Sequence, residues 1–410
     1  VARQSGEGFG VPDGAGKIAP GRMQVHVAGT GLRGSGYPNA PGTLAILSGE
    51  LGLTVVDRAR WLPEGTTLWR KAGRPGRALF SLVGIFWLNL LEAIRVQPLS
   101  RRRDAIVYAP YPAIFLLWWL SWLPRSARPR VVADAYVSLW DAAFRDRGIA
   151  SEAGWASKAF RHFEARALRA AERVHVDTIA NRDWFIDVLG IEPDRVRAIP
   201  LALDAFTREL GDARAVEAGG HLPLKVLFIG TLVPLHGIGV IVDAARTLLE
   251  RGANLEFTFV GDGQDREALA SLAASPLGAR VNWVRDWQSV GQVASHLRQA
   301  DVCLGVFGGA GKASRVLPFK VYLALAAGKA VLTQRGMSLP QGVPEPPVLA
   351  IEGGAGELVA AIAGLASDRS RLGALSSQAR HYYDQFLSRD RIAGEWDALL
   401  RALSESQGRA

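Results

Sequence analysis

Residues 225–251 read KVLFIGTLVPLHGIGVIVDAARTLLER, and this stretch decides the fold. Its first six residues form a short, nearly continuous apolar run closed by glycine, the pattern of a strand buried on both faces. Gly230 and Gly237 bracket a turn, and from Gly239 to Arg251 the apolar residues recur with helical spacing. Strand, glycine turn and helix make one unit of a parallel α/β sheet, and the unit repeats downstream. LEFTFVG (255–261) precedes a helical pattern over Gln264–Ala274, and VNWV (281–284) precedes VGQVASHLRQA (290–300). VCLGVF (302–307) then leads through a loop bearing Lys and Arg to a helix over Phe319–Ala327 and the strand AVLT (330–333).

The same alternation runs upstream, through MQVHVAG (23–29), LTVVD (53–57), AIVYA (105–109), RVVADA (130–135), RVHVDT (173–178) and VRAIPL (196–201). Pro41–Leu51 and Trp155–Ala171 supply helical patterns between them. TRELGDARAVEAGGH (207–221) has no apolar period, so Asp204–Leu222 reads as a linker. The expected fold is therefore α/β, with two Rossmann-like domains, 23–206 and 222–381, facing a central cleft at the carboxyl ends of their strands. Residues 1–22, rich in Gly and Pro, read as a flexible leader, and the tail from Arg369 to Leu403 reads as helices.

Composition agrees with a folded enzyme of two domains: 410 residues, 49% hydrophobic and 21% charged. One cysteine, Cys303, excludes an intrachain disulfide and a cysteine-rich zinc site, and favours a reducing cytoplasmic setting. No histidine pair has metal-ligand spacing, so no metal is expected. The net charge of +9 points to anionic partners. Nucleic acid is not among them, because the basic residues are scattered through two α/β halves rather than gathered with aromatics in a recognition module.

Ala105–Pro124 is long enough to cross a membrane, but Pro110 and Pro112 break it into a strand and a short helix. Trp118, Trp119 and Trp122, flanked by Arg101–Arg103 and by Arg125, Arg128 and Arg130, suit peripheral contact with an anionic bilayer at the inner face of the plasma membrane. The alternative is a core helix with a solvated basic rim.

Two places suit phosphate. Gly29-Thr-Gly31-Leu-Arg33-Gly34 satisfies G-x-G-x-x-G, and Asp57 closes the next strand, so taken alone it reads as an NAD site of an oxidoreductase. The glycine run continues to Asn39, which opens the loop and delays the helix; a loop facing the cleft with Gly31, Arg33 and Gly34 toward a phosphate is the preferred reading. Downstream, only seven of the 48 basic residues are lysines, and Lys312, Lys320 and Lys329 stand close together. Lys312, Arg315 and Lys320, near a helix start, form a cation cluster able to receive a leaving diphosphate, with Gly230 and Gly237 allowing close backbone approach and His236 as a further donor. A solvated surface turn is the plainer reading of that loop.

The second half resembles the donor domain of GT-B glycosyltransferases of the bacterial group-1 (family 4) type. The likeness rests on the Gly230-Thr-Leu-Val-Pro-Leu-His236-Gly237 turn, the Val260-Gly261-Asp262-Gly263 turn, the segment from Trp287 to Asp301, and Pro318-Phe-Lys320 through Ala326-Ala-Gly328. The resemblance implies a nucleotide sugar donor, UDP- or GDP-linked, with no protein-bound cofactor, a lipid-linked or polysaccharide acceptor, and retention of configuration. It also implies that helices from about Tyr382 cross back onto the first domain. Family members place two glutamates where this chain has Arg315 and Leu323. Ribose contacts would then fall to Ser314, Tyr322 or Asp262, or the chain would bind a sugar nucleotide without turning it over. The Val132–Asp146 segment resembles the place where the family sets an acceptor-side acid or histidine, which makes Asp134 and Asp141 candidates to orient or deprotonate the acceptor hydroxyl. Helix capping is the alternative role for Asp134.

Overall fold

The computed structural model describes residues 23–64, 75–145, 148–211, 222–309 and 312–405, with side chains from Val83 in the helix Pro75–Val96 and from Ala313 in the helix Lys312–Arg315. The expected leader 1–22, the centre of the expected linker and Asp146-Arg147 lie outside these residues, as does the Lys312 side chain.

The first sheet comprises β1 (Gln24–Val27), β2 (Thr54–Asp57), β3 (Ala105–Ala109), β4 (Val131–Asp134), β5 (Arg173–Val176) and β6 (Val196–Ala198). All pairs are parallel, in the order β2-β1-β3-β4-β5-β6. Around it lie α1 (Asn39–Gly49), α2 (Pro75–Val96), α3 (Ile114–Leu120), α4 (Trp155–Leu168), α5 (Ile179–Leu189) and α6 (Asp204–Leu210). The apolar run AIVYA is buried at every position of β3, as a central strand with helices on both faces requires.

The second sheet comprises β7 (Leu224–Ile229), β8 (Leu255–Val260), β9 (Val281–Val284), β10 (Val302–Leu304), β11 (Ala330–Gln334) and β12 (Leu349–Ile351), again parallel, in the order β9-β8-β7-β10-β11-β12. Its helices are α7 (Ile238–Glu250), α8 (Arg266–Ala273), α9 (Val290–Gln299), α10 (Lys312–Arg315), α11 (Phe319–Ala326), α12 (Ala355–Ser367) and α13 (Arg369–Phe386). In both sheets the order reverses beside the first strand, which opens a crevice at the carboxyl ends.

The connection is not the featureless linker that Asp204–Leu222 suggested. Its first seven residues form α6, whose Phe206 and Leu210 are buried in a cluster shared with α9 and α11 of the second domain. Polar residues on the exposed face hid that helix. At the other end, α14 (Arg389–Glu405) lies on the first domain, with Trp396 edge-on to Tyr108 and His175, and Leu399, Leu400 and Leu403 buried among β1, β3 and α1. The chain changes domain at Leu387-Ser388, so α13 stays with the second domain.

The stretch Ala105–Pro124 resolves into β3 and the seven-residue α3, and among the described residues no helix is long and apolar enough to cross a membrane. Of its tryptophans Trp118 and Trp119 are half-buried against other elements, whereas Trp122, beyond α3, is 62% exposed. Trp118 packs on Phe163 at 4.5 Å, Trp119 donates its indole N–H to the Phe86 carbonyl (2.8 Å), and Arg166 lies over Trp122 at 4.1 Å. The core-helix alternative holds for α3.

Candidate active site

Three loops meet at the carboxyl ends of β7, β8 and β10. Gly237 has φ +64 and caps α7; a Cβ there would stand 2.4 Å from the Phe307 carbonyl carbon. Gly261 has φ +133 and a Cβ there would stand 2.2 Å from the Gly230 oxygen. Only glycine fits both constraints, so the sequence at these two positions is dictated by backbone contact between loops. The result is a surface of backbone with the amino end of α7 pointing into the crevice, a setting that favours anions.

Lys320, in the first turn of α11, reaches into that surface. Its amine lies 3.9 Å from the centre of the Phe228 ring and 2.9 Å from where a Gly230 Cβ would be. The stem is partly exposed, but the amine is buried and has no hydrogen-bond partner among the described residues. Burial, with no anion beside it, holds its pKa well below the usual lysine range. His236 adjoins, its ring edge-on to Phe228 and its Nδ1 engaged with the Thr231 carbonyl. Asp262 is held by Arg266 and Arg285, each at 3.4 Å, and by the Gly263 N–H (2.9 Å). Beside it an open groove is lined by Trp283, Val284, Arg285 and Asp286.

Arg315 does not point at Lys320. It crosses to the first domain, where its Nη2 meets Asp141 Oδ2 at 2.7 Å and its guanidinium lies 4.7 Å from the centre of the Trp184 ring. The Thr178 hydroxyl, N-cap of α5, also donates to the Arg315 carbonyl. Ile179 N–H donates to the Leu339 carbonyl (3.0 Å), and on another side the Ser35 hydroxyl donates to the Gln288 carbonyl (2.7 Å). The domains thus touch at two flanks of the crevice.

Profiles of two families cover most of the chain: glycosyl transferases group 1 matches residues 223–368, and the glycosyl transferase 4-like domain matches residues 20–202. The chain belongs to the group 1 glycosyltransferases. It is 32% identical over 99 residues to the D-inositol 3-phosphate glycosyltransferase of Acidothermus cellulolyticus, covering 23% of this chain and 22% of that one. It is 26% identical over 155 residues to the amylovoran biosynthesis glycosyltransferase AmsK of Erwinia amylovora, covering 37% of this chain and 34% of that one. These matches thus span between a fifth and about a third of the curated relatives' length. The structure of Anabaena HepE in complex with UDP superposes with TM-score 0.61 at 14% identity, over 93% of this chain and 100% of that one. That likeness establishes the GT-B arrangement of the two domains.

In this glycosyltransferase several expected site residues stand elsewhere. Asp134 is fully buried: Asn39 Nδ2 donates to both of its oxygens (3.1 and 3.0 Å), the Tyr108 hydroxyl to one (3.0 Å), and His175 Nδ1 lies 3.1 Å from the other. No acceptor hydroxyl reaches it; it anchors β4 to β3, β5 and α1. The other nitrogen of His175 faces the Ile199 carbonyl (3.0 Å), so both ring nitrogens meet acceptors. Burial opposes the charge on His175, yet Asp134 outweighs it and the pKa is raised. Tyr322 is likewise corrected: it is a fully buried core residue of α11, out of reach of a ribose. Ser314 is exposed on α10. Asp141 does stand at the crevice, already paired with Arg315.

Gly31, Arg33 and Gly34 do lie in the loop that reaches the second domain, with Arg33 exposed. The NAD reading fails on geometry. A Cβ at Gly31 would stand 2.6 Å from the Trp61 ring, which fills the space a pyrophosphate would need, and Asp57 accepts from Trp61 Nε1 (2.8 Å) and from the Ala59 N–H (3.0 Å).

Sequence reading missed Glu164. Buried in α4, it accepts from the Ser138 hydroxyl (2.8 Å), Leu139 N–H (2.8 Å) and Trp140 N–H (2.9 Å), and so fixes the turn that presents Asp141. Burial pushes its pKa up to about 7 against those three hydrogen bonds. A Glu on an amphipathic helix reads as solvated, and nothing local marks this one as buried.

Proposed function

We propose that this protein transfers a sugar from a nucleoside diphosphate sugar to a hydroxyl of a lipid-linked or polysaccharide acceptor, with retention of anomeric configuration, at the cytoplasmic face of a membrane. The observation that carries the reading is the buried, unpartnered amine of Lys320 set against the Gly230 turn and the amino end of α7. An amine buried without a partner is costly unless an anion repays it, and a diphosphate is the anion that this backbone surface fits. When the bond from the anomeric carbon to the diphosphate oxygen breaks, charge grows on that oxygen. Lys320, the backbone N–H groups of the first turn of α7, and Arg315 once released from Asp141 stabilise it. The groove beside Asp262 and Trp283 receives the base. Asp141, freed in the same exchange, faces the acceptor hydroxyl.

UDP is the first nucleotide to test, because the HepE structure holds it. A thermal-shift series with UDP, GDP, TDP and NAD, followed by turnover of the matching sugar nucleotide, tests the reading. Stabilisation of roughly 2.7 kcal/mol at a hundredfold excess over Kd is expected for one nucleoside diphosphate, lost in Lys320→Ala. Stabilisation by NAD alone overturns it. A second reading, sugar-nucleotide binding without turnover, draws on Arg315 and Leu323 at the family's glutamate positions and on the engagement of Arg315 by Asp141. Tight nucleotide binding with neither transfer nor hydrolysis would favour it.

A further inference from the structure

We propose that the outer face of α2 docks on an anionic lipid bilayer. Val83, Trp87, Leu88, Leu91 and Ile94 form one stripe along this helix, with Trp87 55%, Leu91 58% and Ile94 61% exposed. Exposed large apolar residues occur singly on most surfaces, but a stripe of five on one helix marks a contact face. The opposite face of α2 is spoken for. Ala93 and Val96 lie in the core beneath, and the Asn89 amide clasps Thr30, accepting from its N–H (3.3 Å) and donating to its hydroxyl (2.9 Å).

Charge selects the partner. Between Val83 and Asp104 the exposed charged side chains are Arg95, Arg101, Arg102, Arg103 and Asp104; Arg95 pairs with the buried Glu92 and Arg102 with Asp104 (2.7 Å), so arginines remain in excess. Arg58 is exposed next to them, and Arg95 donates to its carbonyl (3.2 Å). An apolar stripe ending in a patch where arginines outnumber carboxylates matches acyl chains beneath anionic headgroups. Trp118 and Trp119 of α3 pack inward, and Trp122, on the turn after α3, is 62% exposed with Arg166 stacked on its ring, which makes it the control for the stripe. Because Asn89 ties α2 to the loop at Thr30 and Gly31, a bilayer on the outer face lies one helix away from the crevice. If the acceptor is lipid-linked, this geometry delivers it there; that last step rests on the proposed function, whereas the docking does not.

Flotation of the full chain with vesicles tests the docking. Binding to vesicles containing phosphatidylglycerol is expected to exceed binding to pure phosphatidylcholine at least tenfold and to weaken in high salt. Leu91→Ser with Ile94→Ser, and separately Arg101→Glu with Arg103→Glu, should each lower partitioning tenfold or more, while Trp122→Ser leaves it unchanged. Nucleoside diphosphate thermal shifts on the same variants report that the fold is intact and score the nucleotide site independently. Absence of vesicle binding in the wild type, loss on Trp122→Ser alone, or a dimer in light scattering that Leu91→Ser with Ile94→Ser converts to monomer without any change in vesicle binding overturns the proposal.

Discussion

Arg315 of the second domain and Asp141 of the first form an ion pair of 2.7 Å across the crevice, with Asp141 2% and Arg315 17% exposed. Two residues that separately suggest catalytic roles are each other's partners in this state. Stacking of Arg315 on Trp184 and the contact of Arg145 with Asp141 at 3.8 Å complete the junction. A donor phosphate would have to compete with Asp141 for the guanidinium, which couples nucleotide binding to the set of the two domains.

Removal of this pair should show coupling. In a double-mutant cycle of Arg315→Ala and Asp141→Ala, the interaction energy from urea unfolding is expected at about 1–3 kcal/mol, because both partners are largely out of water. Arg315→Lys should recover only part of it, since an ammonium neither stacks on Trp184 nor keeps the planar fork. Additive effects within about 0.5 kcal/mol would mean that the pair is incidental.

Lys320→Met should separate stability from binding. The amine is buried without an anion, so replacing it by an apolar chain of similar length is expected to leave the unliganded protein as stable or more stable by about 1–3 kcal/mol. Nucleoside diphosphate affinity should fall at least tenfold. Since burial lowers the lysine pKa and a phosphate raises it again, binding takes up a proton, and affinity declines as pH rises. Calorimetry in two buffers of different ionisation enthalpy measures that uptake; zero uptake across the pH range would sink the argument.

Glu164 predicts a pH slope in stability. Its folded pKa, about 7, lies above the ordinary value of 4.5, so between these values the folded state holds more proton than the unfolded state. The contribution is fully present below about pH 4.5 and is lost as pH rises through about 7, a change of about 3 kcal/mol. Urea unfolding at pH 5 and pH 8 should show that part of the slope in the wild type and not in Glu164→Gln. An identical slope in both proteins would assign it to other groups.

Asp134→Ala should act on the fold. It leaves Asn39, Tyr108 and His175 without their buried acceptor, a loss of about 3–5 kcal/mol. A variant with unchanged stability but no turnover would return Asp134 to the catalytic group.

Much of the architecture was readable because it is local. All six strands of the first sheet and five of the second are short, largely apolar runs, and such runs announce themselves one segment at a time. Leu349–Ile351 escaped because three half-buried residues at a sheet edge carry little pattern. The turn glycines and Lys320 were legible as well, since a residue type at a strand-to-helix turn already states what the backbone there must do.

The sequence by itself determined the two α/β series, the positions of the glycine turns and the cation at the head of α11, because periodicity and backbone permissiveness are properties of neighbours along the chain. Only the tertiary structure decided which charges meet. Asp134 and Asp141 are seven residues apart and look alike in sequence, yet one is sealed among three donors inside the first domain and the other meets an arginine 174 residues away. Glu164 and the stripe on α2 present the same helical period, and burial turned the first into an anchor while leaving the second open to its surroundings. Burial and partner are set by what folds against a residue from far along the chain, and that information resides in the packing of the two domains.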